Sequence, residues 1–211
     1  MFYDFPIIRT IDDVLPHIEG RSEFIVADKG DYIVINYVVA TNDTFTMEGP
    51  DDLGGAIRRE CRGLIFYPDG RLMSRPFHKF FNVGEREETM PANVDLSAPH
   101  VVMEKMDGSM IRPVMIGDTM RLGTKMGVTE IAEEAEKWLF SKSSVAIDWV
   151  RSYVDRGFTP IFEWIGPDNK IVIDYPEHKL VLLAIRSNET GEYFLPEFQM
   201  FEMPQFYGSI K

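Results

Sequence analysis

A mostly antiparallel α+β domain is what this 211-residue sequence predicts, on three observations. Short runs rich in Val, Ile, Tyr and Phe recur along it, separated by Gly, Pro, Asn and Asp, the punctuation of hairpins rather than of helical crossovers. Helical spacing is sustained over residues 129–154, which marks the one long helical region. Hydrophobic residues make up 45% of the chain, enough for a full core in one domain or in a domain with a small lobe.

Taken in order, residues 1–31 are an opening segment of ambiguous pattern, and residues 32–39 read as a strand dense in Tyr, Ile and Val. Residues 40–55, with Asn42, Asp43, Gly49, Pro50, Asp51 and Asp52, read as a loop. Strands at 63–67 and 71–74 flank Pro68-Asp69-Gly70, and the Asp-Gly pair predicts a hairpin. Residues 82–100 carry two prolines, several acidic residues and little periodicity, as a surface connection does. Then comes a meander: a strand at 101–105, a turn at Asp107-Gly108, a strand at 110–116, a turn at Gly117-Asp118 and a strand to Gly123. The helical region starts at Thr129, a residue suited to an N-cap, with Glu130, Glu133 and Glu134 favouring the positive helix start. Serines between 141 and 144 are placed to divide it in two. Strands return at 160–165, 170–174 and 179–186, and a last hairpin passes through residues 188–191 into 192–195.

The net charge of −12, from 34 acidic and 22 basic residues, argues against coating a nucleic acid with the whole surface, so a polyanion must be met by a local basic patch. The single Cys61 excludes an intramolecular disulfide and a cysteine-rich zinc site, a usage that suits a reducing cytosol. The start of the sequence lacks a basic segment followed by an apolar run, and no stretch approaches 18 uninterrupted apolar residues, so secretion and membrane spanning are not expected.

Three segments carry chemistry. In Glu104-Lys105-Met106-Asp107-Gly108-Ser109, strand alternation puts Lys105 at the end of the row Val101, Met103, Lys105. Burial there is expected to depress the lysine pKa and free a nucleophilic amine. An ordinary Asp-Gly hairpin is the plainer reading of the same residues. Arg58, Arg59, Arg62, Arg71, Arg75 and Lys79 form the dense basic run, with Phe77, Phe80 and Phe81 at its end. That composition fits a phosphate clamp beside an aromatic wall and equally a solvated charged face. In Phe162-Glu163-Trp164, alternation places Glu163 with Ile161 and Ile165, a costly position for a carboxylate lacking a partner. A structural ion pair and a contact to a ribose both answer that cost, since an ionised carboxylate accepts from two sugar hydroxyls.

Together these segments resemble the RNA ligases of the bacteriophage T4 RNA ligase 1 type, within the covalent nucleotidyltransferase superfamily. Lys105-Met106-Asp107-Gly108-Ser109 is similar to the nucleophile motif Lys-x-Asp-Gly-Ser. Glu60-Cys61-Arg62-Gly63 and Arg75-Pro76-Phe77-His78-Lys79-Phe80-Phe81-Asn82 resemble the two upstream signatures, and Phe162-Glu163-Trp164 the aromatic-Glu-aromatic element. The likeness continues through residues 179–193. It implies the nucleotidyltransferase fold of the ligases, ATP-grasp-like, and an ATP-dependent RNA ligase. Lys105 is then the residue that forms lysyl-AMP, and AMP passes to an RNA 5′-phosphate before a 3′-hydroxyl seals the strand. Arg62 and Lys79 are implied as phosphate contacts, Lys125 as a further basic residue at the nucleotide, Glu163 at the ribose, Phe81 in the nucleotide-facing wall, Glu104 beside the nucleophile, and Asp107 and Gly108 in shaping the turn and supporting transfer. Mg²⁺ is implied as the ion that neutralises the leaving pyrophosphate, with no residue assigned to it. RNA ends, tRNA among them, are the implied partners, without membrane, in the cytoplasm (the host's, for a phage protein).

The resemblance leaves a gap. The Glu-Gly element and the Lys-x-Lys strand that follow the glutamate strand in this family do not occur between Arg186 and Lys211. Residues 1–211 are therefore expected to be the front part of an adenylyltransferase domain, without its last motif-bearing strands or a downstream domain, and weak or inactive alone. A non-catalytic nucleotide or RNA-end binding protein, and a nucleotidyltransferase using GTP or another polynucleotide acceptor, are the competing expectations.

Overall fold

Apolar alternation across residues 24–37 forms the first antiparallel pair, β1 (Phe24–Asp28) and β2 (Ile33–Tyr37). The structure is a computed structural model describing residues 4–98, 100–195 and 200–207. Met1–Tyr3 and part of the final segment read above, residues 196–199 and 208–211, thus lie outside the described residues. β2 continues into β3 (Arg62–Phe66) and β4 (Leu72–Ser74), giving a four-stranded antiparallel sheet in the order β1-β2-β3-β4. As expected, β3 and β4 are joined through Asp69-Gly70. Gly70 takes a positive φ of 86° and the Asp69 carboxylate accepts the Arg71 N–H at 3.1 Å.

This sheet is apolar on both faces. Ile35, Leu64 and Phe66 pack with Ile8, Val14, Ile18, Phe45, Ile57 and Cys61, under α1 (Leu15–Ile18) and α2 (Leu53–Glu60). Val34, Ile65 and Met73 turn the other way into the main core. The opening segment thus contains β1 and α1, and the loop read across 40–55 gives way to α2. That helix forms despite Gly54 and Gly55 because Asp52 caps it, accepting the Gly55 N–H at 2.8 Å, and because Ala56 and Ile57 are buried beneath it. Full burial of a side chain such as Ile57 contributes about 1.5–3 kcal/mol, which exceeds the roughly 1 kcal/mol cost of a helical glycine.

The second sheet runs β10-β9-β8-β6-β7, also antiparallel. Its strands are β6 (Ser109–Ile116), β7 (Thr119–Gly123), β8 (Phe158–Ile165), β9 (Lys179–Ser187) and β10 (Tyr193–Phe194). Two helices pack on it, α3 (Glu130–Lys142) and α4 (Ser144–Asp155). The serines do divide the helical region: Ser143 is extended and its hydroxyl accepts the Val145 N–H at 3.1 Å, capping α4. The main core lies between the two sheets and these helices, with Ile111, Leu122, Leu139, Val150, Phe162, Trp164 and Leu182 at its centre.

Two further expectations fail. Residues 101–116 are not a hairpin: β5 (Val102–Met103) pairs with β11 (Phe206–Tyr207), while β6 pairs with β7 and β8. Residues 170–174 are not a strand but an exposed bend, in which Val172 is 77% exposed. Among the described residues, no helix is long and apolar enough to cross a membrane.

Candidate active site

Glu163 stands at the centre of the site. On β8 its neighbours Phe162 and Trp164 point into the main core, so alternation turns the carboxylate to the opposite face. There it accepts the Gly108 N–H at 3.0 Å. Burial pushes this carboxyl up to about 7; the Gly108 hydrogen bond and the charges of Lys105 and Arg62 oppose the rise, and Asp107 adds to it. Five residues singled out in the sequence, Lys105, Asp107, Gly108, Arg62 and Glu163, are thereby in one electrostatic neighbourhood.

Gly108 is required here by contact rather than by turn geometry. Its φ is not positive, but a Cβ would stand 2.2 Å from the Trp164 carbonyl oxygen. The segment around Gly108 therefore lies directly against the backbone of β8. Ser109 reinforces the contact, donating to the Asn169 side chain at 3.1 Å, while the Asn169 amide donates to the Trp164 carbonyl at 2.6 Å. Asp107 faces the other way. Its carboxylate accepts the Val172 and Ile173 N–H groups at 2.6 and 2.7 Å, its own N–H donates to the Tyr175 hydroxyl at 3.2 Å, and the two accepted bonds, Ile173 first, hold its pKa below the usual range. The bend at 170–175 is in this way fastened to Asp107, a connection its β-branched composition did not reveal.

Lys105 corrects the expectation of burial. It is exposed, and Val101, which begins the supposed apolar row, is 66% exposed. The row faces outward because β5 pairs only with β11 at the edge of the molecule; the Glu104 N–H continues that pairing by donating to the Gln205 carbonyl at 2.9 Å.

Arg62 and Lys125 meet through a glycine. Gly63 has φ +99°, and a Cβ on it would lie 2.7 Å from the Lys125 carbonyl oxygen, so the absence of a side chain lets the start of β3 sit on the 124–127 turn. The Arg62 guanidinium lies 5.3 Å over the half-exposed Phe80 ring, and its Nη1 is buried without a partner among the described residues. Lys125 is exposed, its Nζ 5.4 Å over Tyr37.

The rest of the basic run disperses. Lys79 Nζ lies 4.6 Å over Phe81 and 3.9 Å from Glu85, and Arg59 and Arg86 also cover the Phe81 ring, at 5.1 and 4.9 Å. Phe81 is thus enclosed by three cations. Arg58 pairs with Asp52, Arg59 with Glu88 and Arg71 with Asp69.

Arg75 is fully buried and pairs, with Arg186, onto Glu60. Arg186 reaches both Glu60 oxygens at 2.7 and 2.8 Å, and Arg75 reaches them at 3.0 and 3.1 Å. Burial works to raise the Glu60 pKa, but Arg186 and then Arg75 hold it at about 2. Arg75 further donates to the carbonyls of Pro6, Asn188 and Glu189, and Arg186 to those of Pro76 and Gly191. The sequence signal for this tie was a lone arginine closing the apolar run Leu182-Leu183-Ala184-Ile185, which needs a buried acid. The signatures around residues 60, 75 and 186 are therefore one structural knot, not one phosphate clamp.

A sequence profile described as RNA ligase, of the T4 RNA ligase 1 type, matches residues 60–210. The chain belongs to the RNA ligase family. A candidate RNA ligase of Thermovibrio ammonificans is 33% identical to it over 189 residues, and RNA ligase 1 of bacteriophage TS2126 is 27% identical over 194. Each alignment covers 89% of this RNA ligase family chain and 47% of the relative, so the chain spans about half the length of the curated relatives it matches. An archaeal ATP-dependent RNA ligase superposes with a TM-score of 0.55 at 15% identity, over 92% of this chain and 49% of the other. A candidate ATP-dependent DNA ligase from Aquifex aeolicus gives 0.54 at 14%, over 93% and 50%. These two likenesses establish the expected nucleotidyltransferase type of α+β fold. Among the described residues of this RNA ligase family member, no group of three or more His, Cys, Asp or Glu side chains is arranged to hold a metal ion.

Proposed function

We propose that the chain carries the ATP-binding, lysine-adenylylating site of an RNA ligase, with Lys105 as the nucleophile. The Gly108 N–H on the Glu163 carboxylate, with the charges of Lys105 and Arg62 near enough to act on it, supports this reading. The Lys105 amine attacks the α-phosphorus of ATP; the N–P bond forms as the bond to the bridging oxygen of pyrophosphate breaks, and the amine proton leaves to solvent. Among the described residues Glu163 takes one hydrogen bond, from the Gly108 N–H, and it is the acceptor for ribose hydroxyls. Arg62, whose Nη1 lacks an acceptor, and Lys125 face the phosphates, with Lys79 behind them. Mg²⁺ accompanies the triphosphate as its counter-ion, and no residue of the chain is assigned to it. In the whole protein, AMP then passes to an RNA 5′-phosphate and a 3′-hydroxyl displaces it to join the ends.

Incubation with α-labelled ATP, and separately with α-labelled GTP, tests this. Covalent label from ATP is expected on the Lys105 peptide, and none on Lys105→Ala or on Lys105→Arg, whose guanidinium stays charged. Label that survives either substitution places the chemistry elsewhere. Label from GTP alone points to another nucleotidyltransferase, and reversible ATP binding without label to a binding protein.

A further inference from the structure

Three arginines are fully buried, and one of them differs from the other two in how its charge is met. Arg75 and Arg186 share Glu60. Arg112 on β6 has no carboxylate partner among the described residues: its Nη2 donates to the Gly63 carbonyl, and its Nε and Nη1 have no acceptor. Burial pulls its pKa down to about 9, which leaves it charged at neutral pH. A buried guanidinium without a counter-charge costs several kcal/mol of desolvation, and packing alone would be served better by an apolar residue.

Its position gives that cost a reason. Met110 is the cross-strand partner of Glu163, and Arg112 lies two residues further along β6, on the same face of the sheet. Its partner across the other edge is Gly123, which has no side chain to fill the space. The carbonyl it holds belongs to Gly63, the residue that links Arg62 to the Lys125 turn. Arg62 Nη1, also buried, likewise lacks an acceptor. Arg112, on the Gly63 carbonyl, and Arg62, the residue before Gly63, therefore both leave buried N–H groups unmatched, where the start of β3 meets the Lys125 turn.

We propose that Arg112 is a positioning residue: from beneath the site it fixes the Gly63 carbonyl, sets Arg62 against Lys125, and adds an uncompensated positive charge under the place where a polyphosphate binds. This rests on the reading of the site as an ATP site. It predicts that Arg112 favours the phosphates of ATP rather than its nucleoside, and that the fold does not depend on it.

Affinities for ATP and for adenosine, measured by calorimetry on the full 211-residue chain, separate these effects. Arg112→Gln keeps an N–H for the Gly63 carbonyl and removes the charge. The expected result is about a tenfold loss of ATP affinity, equivalent to about 1.4 kcal/mol, with adenosine affinity changed by less than about threefold. Equal weakening of both ligands, or of neither, overturns the proposal, because a structural role does not distinguish the phosphates. Arg112→Met is expected to melt no lower than the parent. If it fails to fold, the Arg112→Gln comparison decides alone. A parent chain that binds adenosine and ATP equally overturns the ATP reading together with this proposal, whereas a parent selective for ATP with an unchanged Arg112→Gln variant overturns only the proposal.

Discussion

Glu60 and Glu163 are both withdrawn from water, yet they ionise at opposite ends of the range. Glu60 is completely buried and touches two guanidinium groups, which hold it at about 2. Glu163 is largely buried, receives an N–H from Gly108, and is pushed up to about 7, since that bond and the charges of Lys105 and Arg62 do not cancel the burial. Desolvation acts on both, and the opposite charge in direct contact decides the outcome. A carboxylate with its donors supplied by the chain ties elements together. A carboxylate left short of donors, on a face shared with cations, has the capacity to take them from a ligand.

The largest effect expected from this contrast is at Glu60. Glu60→Gln leaves Arg75 and Arg186 buried without their acid and should cost about 3–5 kcal/mol, read from the midpoint of denaturant unfolding. A loss below about 1 kcal/mol would mean that the carbonyls around the two arginines suffice. The Glu60 contribution is complete above the ordinary carboxyl value of 4.5 and lost as pH falls toward 2.

Glu163→Gln should behave in the opposite sense. Because the folded pKa lies above 4.5, the folded chain binds more protons than the unfolded one between about 4.5 and 7, and stability falls as pH rises through that window. The substitution removes this slope, so the variant should gain on the parent by on the order of 2 kcal/mol at pH 8 compared with pH 4. Paired denaturation curves at the two pH values measure it, and parallel behaviour of parent and variant would contradict the assignment. The same variant should lose discrimination between ATP and its 2′-deoxy analogue, since a charge-assisted hydrogen bond is worth about 1.5–3 kcal/mol. Smallest is Asp107→Asn, where the amide keeps one acceptor oxygen but no charge. Amide exchange at Val172 and Ile173 should accelerate without a change in global stability; unchanged exchange would show that the bend stands without Asp107.

How far the sequence revealed these features depended on whether the governing contact was local. The 62–74 hairpin was readable because Asp69-Gly70 specifies its own turn, and the divided helix because Ser143 caps its own neighbour. α2 was missed because Gly54 and Gly55 oppose it locally, while the apolar neighbours that favour it, Val14, Ile18 and Phe45, lie in other segments. Ile171, Val172 and Ile173 read as a strand by composition but are fixed by a carboxylate 65 and 66 residues away, at Asp107. Lys105, Asp107, Gly108, Arg62 and Glu163, singled out separately in the sequence, lie in one electrostatic neighbourhood. The supposed burial of Lys105 was wrong because it assumed that β5 pairs with β6, and the division of the basic run between knot and site was hidden until Glu60 had its partners.

The pairing of β5 with β11 sets an order of events. Val102, Met103 and Glu104 gain their backbone partners from residues 205–207, about a hundred positions later. On a growing chain the lysine emerges early, but the strand leading to it stays without a neighbour until those later residues have been made and have folded back. Long-range pairings of this kind are slow to form. The Lys105 amine therefore takes its bearing only after the residues of both main sheets have been made.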